Sequence, residues 1–117
     1  MASITSQLRE NNLNNERLFH EAANMLIEKI MHNIESCDDK NIIDYDYSNE
    51  VLMLEINAQI YVINKQSFKR EIWLSSPISG PHHFIFKENQ WINNNLETID
   101  LILSKELSDL TQQNIII

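Results

Sequence analysis

Between residues 15 and 36, apolar side chains return every three or four positions: Phe19, Ala22, Ala23, Leu26, Ile30 and Ile34, with Cys37 one step further. At 100° per residue these share one face, which predicts an amphipathic helix. Glu21, Glu28 and Glu35 recur seven apart on the opposite side, near Asn24 and His32. That side has the pattern of a solvated helix face. From residue 38 the period falls to two. Ile43, Tyr45 and Tyr47 alternate with Asp44, Asp46 and Ser48, predicting a half-exposed strand. In Ser48-Asn49-Glu50, Asn49 is the residue best able to take a positive φ in place of glycine. Further strands are predicted over 51–56 and 60–64, joined by a tight turn at Asn57-Ala58. Another covers 71–75, with Ile72 and Leu74 facing inward and Trp73 facing the other way. After the loop from Ser76 to Pro81 come residues 84–86 and a short segment around Trp91. Successive strands with short links favour an antiparallel meander.

A second helix is predicted over 96–110, capped by Thr98 or Asn95. Ile99, Ile102, Leu103, Leu107 and Leu110 mark its periodic face, with Glu106 the polar exception. The order helix, strands, helix predicts an α+β fold, a two-layer sandwich of two helices packed on one face of an antiparallel β-sheet. The other sheet face then meets solvent and carries Trp73. The terminal isoleucines 115–117 are expected to pack into the groove between the helices.

At 117 residues the chain suits one domain. The polar, Asn-rich stretch 1–14 is set apart as a flexible N-terminal segment, leaving 15–117 as the domain. Nine Lys and Arg stand against 17 Asp and Glu, a net charge of −8. A uniformly basic nucleic-acid footprint is therefore excluded. The charge is uneven: ten acids and four bases precede residue 51, so that half carries −6 of the −8. The single glycine, Gly80, rules out glycine-rich nucleotide loops, and the single cysteine, Cys37, rules out an internal disulfide or a Cys-rich zinc site. No apolar run approaches the roughly 18 residues of a membrane span. The first residues lack a basic start with an apolar block, and Glu10 and Glu16 come too early for a transit peptide, so a cytoplasmic protein is expected, bacterial or else already processed.

Nucleophilic catalysis has little support. Cys37 ends a helix on its apolar side, where a thiol packs as an inert core residue. Ser75, Ser76 and Ser79 lie close to His82 and His83 in the chain, but one glycine cannot build a strand–Gly-x-Ser-x-Gly elbow. The four histidines show no paired metal-ligand spacing. What the chain does offer is carboxylate oxygen: Glu35, Asp38 and Asp39 at the end of the first helix, Asp44 and Asp46 on one face of the next strand. Such donors suit hard or borderline cations, held weakly without a cage; a plain solvated acidic edge is the competing reading. A third cluster comprises Asn64, Lys65, Gln66 and Trp73, expected to share the open sheet face, where an aromatic among amides reads as a protein-docking anchor.

Tyr61-Val62-Ile63-Asn64-Lys65-Gln66, followed by Ile72-Trp73-Leu74-Ser75-Ser76-Pro77-x-Ser79-Gly80-Pro81, resembles the signature of the frataxin family. The resemblance extends over about residues 16–111, including Val51-Leu52 and Trp91. It implies a bacterial frataxin-like protein: an iron-binding regulator or iron donor of iron–sulfur cluster assembly that binds a cysteine desulfurase and its scaffold protein. It further implies weakly bound Fe(II) or Fe(III), a monomer and no enzymatic activity of its own. The metal-binding residues it implies are His20, Glu28, Glu35, Asp38, Asp44 and Asp46, to which the acidic end of the first helix adds Asp39; the partner-binding residues are Asn64, Gln66 and Trp73. The chain departs from the family where Asn24, Met25, Met31 and His32 replace frequent acids, at Lys40, and along His82, His83 and Ile85. A ferroxidase acting at the carboxylates and a metal-independent adaptor of the same machinery are the alternatives.

Overall fold

The computed structural model describes residues 16–117; the segment 1–14 set apart by its composition lies outside the described residues. The element order is α1 (Glu16–Cys37), β1 (Asp44–Ser48), β2 (Val51–Ile56), β3 (Gln59–Gln66), β4 (Glu71–Ser76), β5 (Gly80–Lys87), β6 (Gln90–Ile92) and α2 (Ile99–Thr111). The six strands form one antiparallel sheet in sequence order. Both helices pack on one face of it, as the periodicity predicts.

The core lies between the layers. The apolar face of α1 from Leu18 to Ile34 is buried against Leu52, Leu54, Ile56, Tyr61, Ile63, Ile72, Leu74 and Phe84 of the sheet. Phe19 is fully buried and meets the Trp91 ring edge-on at 6.0 Å, while Trp91 meets Phe86 at 5.1 Å. These rings clamp α1 to the β5–β6 hairpin. Truncating such a ring costs about 3–5 kcal/mol. Between the helices, Lys29 Nζ donates to Asp100 Oδ2 at 2.5 Å.

A chain with one glycine must turn its hairpins by other means. Asn49 has φ +52, as its place predicts, and Glu50 follows at +65. Asn57 and Ala58 stand at +50 and +69, Glu88 and Asn89 at +52 and +64. Two consecutive positive φ values make the mirror-image turn that matches the twist of antiparallel strands. The asparagines accept this conformation readily; the glutamates and Ala58 adopt it at a cost.

Three local expectations change. α2 begins at Ile99 rather than 96, because Asn93 Oδ1 accepts the N–H groups of Asn95 and Glu97 and holds a separate turn there. Thr98 is the cap, its hydroxyl accepting the Leu101 N–H at 3.2 Å. Lys65 does not share the open face. It pairs with buried Ile72 and its Nζ donates to Asn24 Oδ1 on α1 at 2.8 Å. Of the three terminal isoleucines only Ile115 is buried, held by Ser108 in both directions; Ile116 is exposed and Ile117 half-buried.

Candidate functional site

Strand β1 forms one edge of the sheet, bonded only to β2. Its pairing puts Asp44 opposite Glu55 and Asp46 opposite Met53, on the open face. Asp44 and Asp46 thus point the same way, about 7 Å apart along the strand. Glu55 completes a group of three exposed carboxylates there. It is absent from the sequence-derived set, although counting the register back from the turn at Asn49-Glu50 finds it. Like charges directly opposite on a sheet repel, so the Asp44–Glu55 pair gains from a bound cation.

Tyr45 points to the other side, where its hydroxyl donates to Glu35 on α1. That bond, followed by burial and the Glu35 charge, raises the Tyr45 phenol above its ordinary pKa. Glu35 is therefore held next to β1 but across the strand from Asp44 and Asp46. Glu28 lies exposed two turns earlier on α1, and Asp39 is exposed just after the helix.

Asp38 has other employment. Its carboxylate accepts the N–H of Ile42 at 3.1 Å, the N–H of Ile43 at 2.8 Å and Nε2 of Gln113 at 2.8 Å. Burial pulls this carboxyl upward, but the Gln113 amide and the Ile43 and Ile42 backbone donors together hold it below the usual range. It fastens the α1–β1 link to the C-terminal segment. His20 lies at the far end of α1, about 22 Å along the axis from Glu35. Its Nε2 is 3.3 Å from Ser67 Oγ in the β3–β4 turn and 3.6 Å from Glu16. Among the described residues no three His, Cys, Asp or Glu side chains converge on a metal position. The acids form an exposed oxygen-rich edge suited to weak cation contact, and His20 is not among its neighbours.

The second cluster is tighter. Asn64 pairs directly with Trp73, Trp73 with His83, and Gln66 with Glu71, all on the open face. Ile72 and Leu74 to either side are buried, so alternation turns the half-buried Trp73 outward. Its Nε1–H donates to Glu71 Oε1 at 2.7 Å, and its ring stacks on His83 at 4.1 Å and 6°. The indole is thus fixed in orientation while its outer edge stays open. Asn64, Gln66 and Trp73 are brought together; Glu71 and His83, which brace the indole, emerge only from the strand register.

The serine–histidine proximity noted in the sequence is real but does not make a nucleophile. Ser79 Oγ is 2.8 Å from His82 Nε2, beside a cleft of about 450 Å³ between the β4–β5 loop and α2. Asn93 Oδ1 is occupied by two backbone N–H groups, so its Nδ2 faces His82 Nδ1 at 3.3 Å. This makes Nδ1 the acceptor and Nε2–H the donor to Ser79. The Ser79 hydroxyl in turn donates to Glu106 Oε2 at 2.6 Å. An imidazole in that tautomer cannot take the serine proton.

A family model described as the frataxin-like domain matches residues 12–113. Mitochondrial frataxin of Arabidopsis thaliana is 40% identical over 102 residues, covering 81% of this chain and 54% of that protein. The chain therefore spans about half the length of that relative. Frataxin from Psychromonas ingrahamii has a similar fold, with a TM-score of 0.77 at 24% identity over 86% of this chain and 95% of that one. Trimeric frataxin from the yeast Saccharomyces cerevisiae, solved complexed with ferrous iron, gives a TM-score of 0.66 at 31% identity over 85% and 88% of the two chains.

Proposed function

The chain belongs to the frataxin family, and from that premise we propose that it serves iron–sulfur cluster assembly as an iron-binding regulator rather than as an enzyme. In this reading it binds a cysteine desulfurase and its scaffold protein through the open sheet face and meets iron, as cargo, at the acidic edge. The observation that carries the reading is the assembly of Asn64, Gln66 and Trp73 on one exposed face, with the indole braced by Glu71 and His83. A tryptophan held in a fixed orientation is the kind of anchor that carries much of the energy at protein interfaces. A rigid anchor also loses little freedom on docking.

The acidic edge supports a looser role. Asp44, Asp46 and Glu55 offer oxygen donors without a cage, which suits transient contact with Fe(II) or Fe(III). The same charge draws a basic surface on a partner by long-range, salt-sensitive attraction. The two features divide the work: charge steers, and Trp73 anchors.

The test is desulfurase activity of the assembly complex with and without this protein, over a range of iron concentrations, repeated with Trp73→Ala. The wild-type chain should change the activity, and the variant should lose that effect and bind at least about tenfold more weakly while remaining folded. Normal binding by the variant removes Trp73 from the site. Iron turnover beyond one oxidation per bound ion would instead favour a ferroxidase.

A further inference from the structure

We propose that Phe68, at the tip of the β3–β4 turn, is a second docking anchor, made for an apolar pocket with an acidic rim on the partner that covers Trp73. The proposal rests on the docking reading above. Phe68 is 93% exposed, more than any other large apolar side chain among the described residues. Nothing in the fold requires an aromatic ring there.

The turn that carries it is pinned. The Arg70 N–H donates to the Ser67 carbonyl at 3.2 Å, and Ser67 Oγ is tied to His20 Nε2 on α1 at 3.3 Å. Gln66 and Glu71 close its base as register partners. An aromatic presented on such a turn pays little ordering entropy when a partner encloses it.

Position and charge identify the occupant. The turn joins the strands that carry Asn64, Gln66, Glu71 and Trp73, so a partner covering those residues reaches Phe68 by continuing past the end of the sheet. Phe68 is followed by exposed Lys69 and by Arg70, whose Nε is buried with no acceptor. In a chain of net charge −8 this is a local basic tip. It complements carboxylates around an apolar pocket, whereas the acidic edge at β1 complements a basic patch. Two opposite charge preferences at different parts of one molecule set its orientation on the partner.

The experiment compares Phe68→Ser, Lys69→Glu and Trp73→Ala for affinity to the desulfurase–scaffold complex, with thermal unfolding as the folding control. Phe68→Ser should leave the melting temperature unchanged and weaken binding about tenfold, and Lys69→Glu should also weaken it. Weakening by Trp73→Ala with wild-type affinity for Phe68→Ser overturns the second anchor and leaves the docking reading standing. Wild-type affinity for both overturns the docking reading and the anchor with it. Co-sedimentation of the wild-type chain with phosphatidylserine vesicles, lost in Phe68→Ser without change in partner affinity, assigns the turn to a lipid surface and overturns the proposal.

Discussion

Tyr61 and Glu106, 45 residues apart, are joined by a 2.8 Å hydrogen bond from the tyrosine hydroxyl to Oε1 of the carboxylate. Ser76 donates to the same oxygen at 2.5 Å and Ser79 to Oε2 at 2.6 Å. One carboxylate on α2 thus collects hydroxyls from β3, β4 and the loop after it. Glu106→Ala leaves the donors of fully buried Tyr61 and buried Ser76 without that acceptor, and should cost about 2–4 kcal/mol in chemical denaturation. Tyr61→Phe, which removes only one donor, should cost about 1 kcal/mol. Burial, followed by the Glu106 bond and charge, raises the Tyr61 phenol, with Ser76 opposing. The unfolded chain therefore releases this proton first. Its contribution is complete below pH 10 and drains away as the pH climbs through the raised folded value, which Tyr61→Phe should abolish.

Asp38→Ala is expected to separate folding from metal binding. The change strips acceptors from Ile42, Ile43 and Gln113, and should destabilise the protein by about 1–3 kcal/mol by urea unfolding. Because the folded carboxyl is held low, its contribution is present above the ordinary carboxylate pKa and is lost as the pH falls through the folded value. A titration with Mn(II) or Fe(II) should read as wild type, since those oxygens are already engaged. Loss of metal affinity in a folded variant would return Asp38 to the metal site.

The layers, the strand alternation and the turns at Asn49 and Asn57-Ala58 were legible because burial imposes a period of 3.6 or 2 on the residues themselves. Trp73 facing outward between Ile72 and Leu74 follows from the same rule. Lys65 follows it too, sharing its face with Tyr61 and Ile63, but its charge suggested solvent; Asn24 on α1 is what receives it. Glu106 was visible only as a polar residue on an apolar face, since its donors come from positions 61, 76 and 79. No local pattern encodes that convergence. Glu55 opposite Asp44 and His83 against Trp73 likewise require the register; the turn at Asn49-Glu50 supplies it for Glu55, whereas the longer Ser76–Pro81 loop does not supply it for His83. Asp38 carries the charge of a ligand and the geometry of a cap, and composition cannot distinguish the two.

Replacing Asp44 with Asn should move stability and metal binding in opposite directions. Asp44 faces Glu55 directly across the β1–β2 ladder, and both are exposed. Removing one of two like charges there should raise stability by about 0.2–1 kcal/mol in low salt, with the gain shrinking as salt is added. The double variant Asp44→Asn, Asp46→Asn should weaken Fe(II) binding in calorimetry. Glu28→Gln, on α1, should weaken it less. Unchanged iron titration in the double variant would move the metal contact elsewhere.

Ala58→Gly tests what it costs to turn hairpins without glycine. Ala58 has φ +69 after Asn57 at +50, and both are exposed, so no packing is at stake. In the left-handed region a Cβ crowds the backbone by roughly 1–2 kcal/mol, whereas glycine carries no such penalty. Asparagine followed by glycine is also the pair that most favours this mirror-image turn. Opposing this, glycine widens the unfolded ensemble by about 0.4–1 kcal/mol. The conformational term is the larger, so a net gain of about 0.5–1 kcal/mol is expected, with a melting temperature higher by about 2–6 °C. Gly80→Ala should do the reverse. At φ +84 with open space around it, the added methyl meets no atom within 4 Å, so no clash contributes and the loss of stability measures backbone strain less the gain from a narrower unfolded ensemble. If Ala58→Gly lowered the melting temperature, the unfolded-state term would be dominant and the strain assigned to these turns too large.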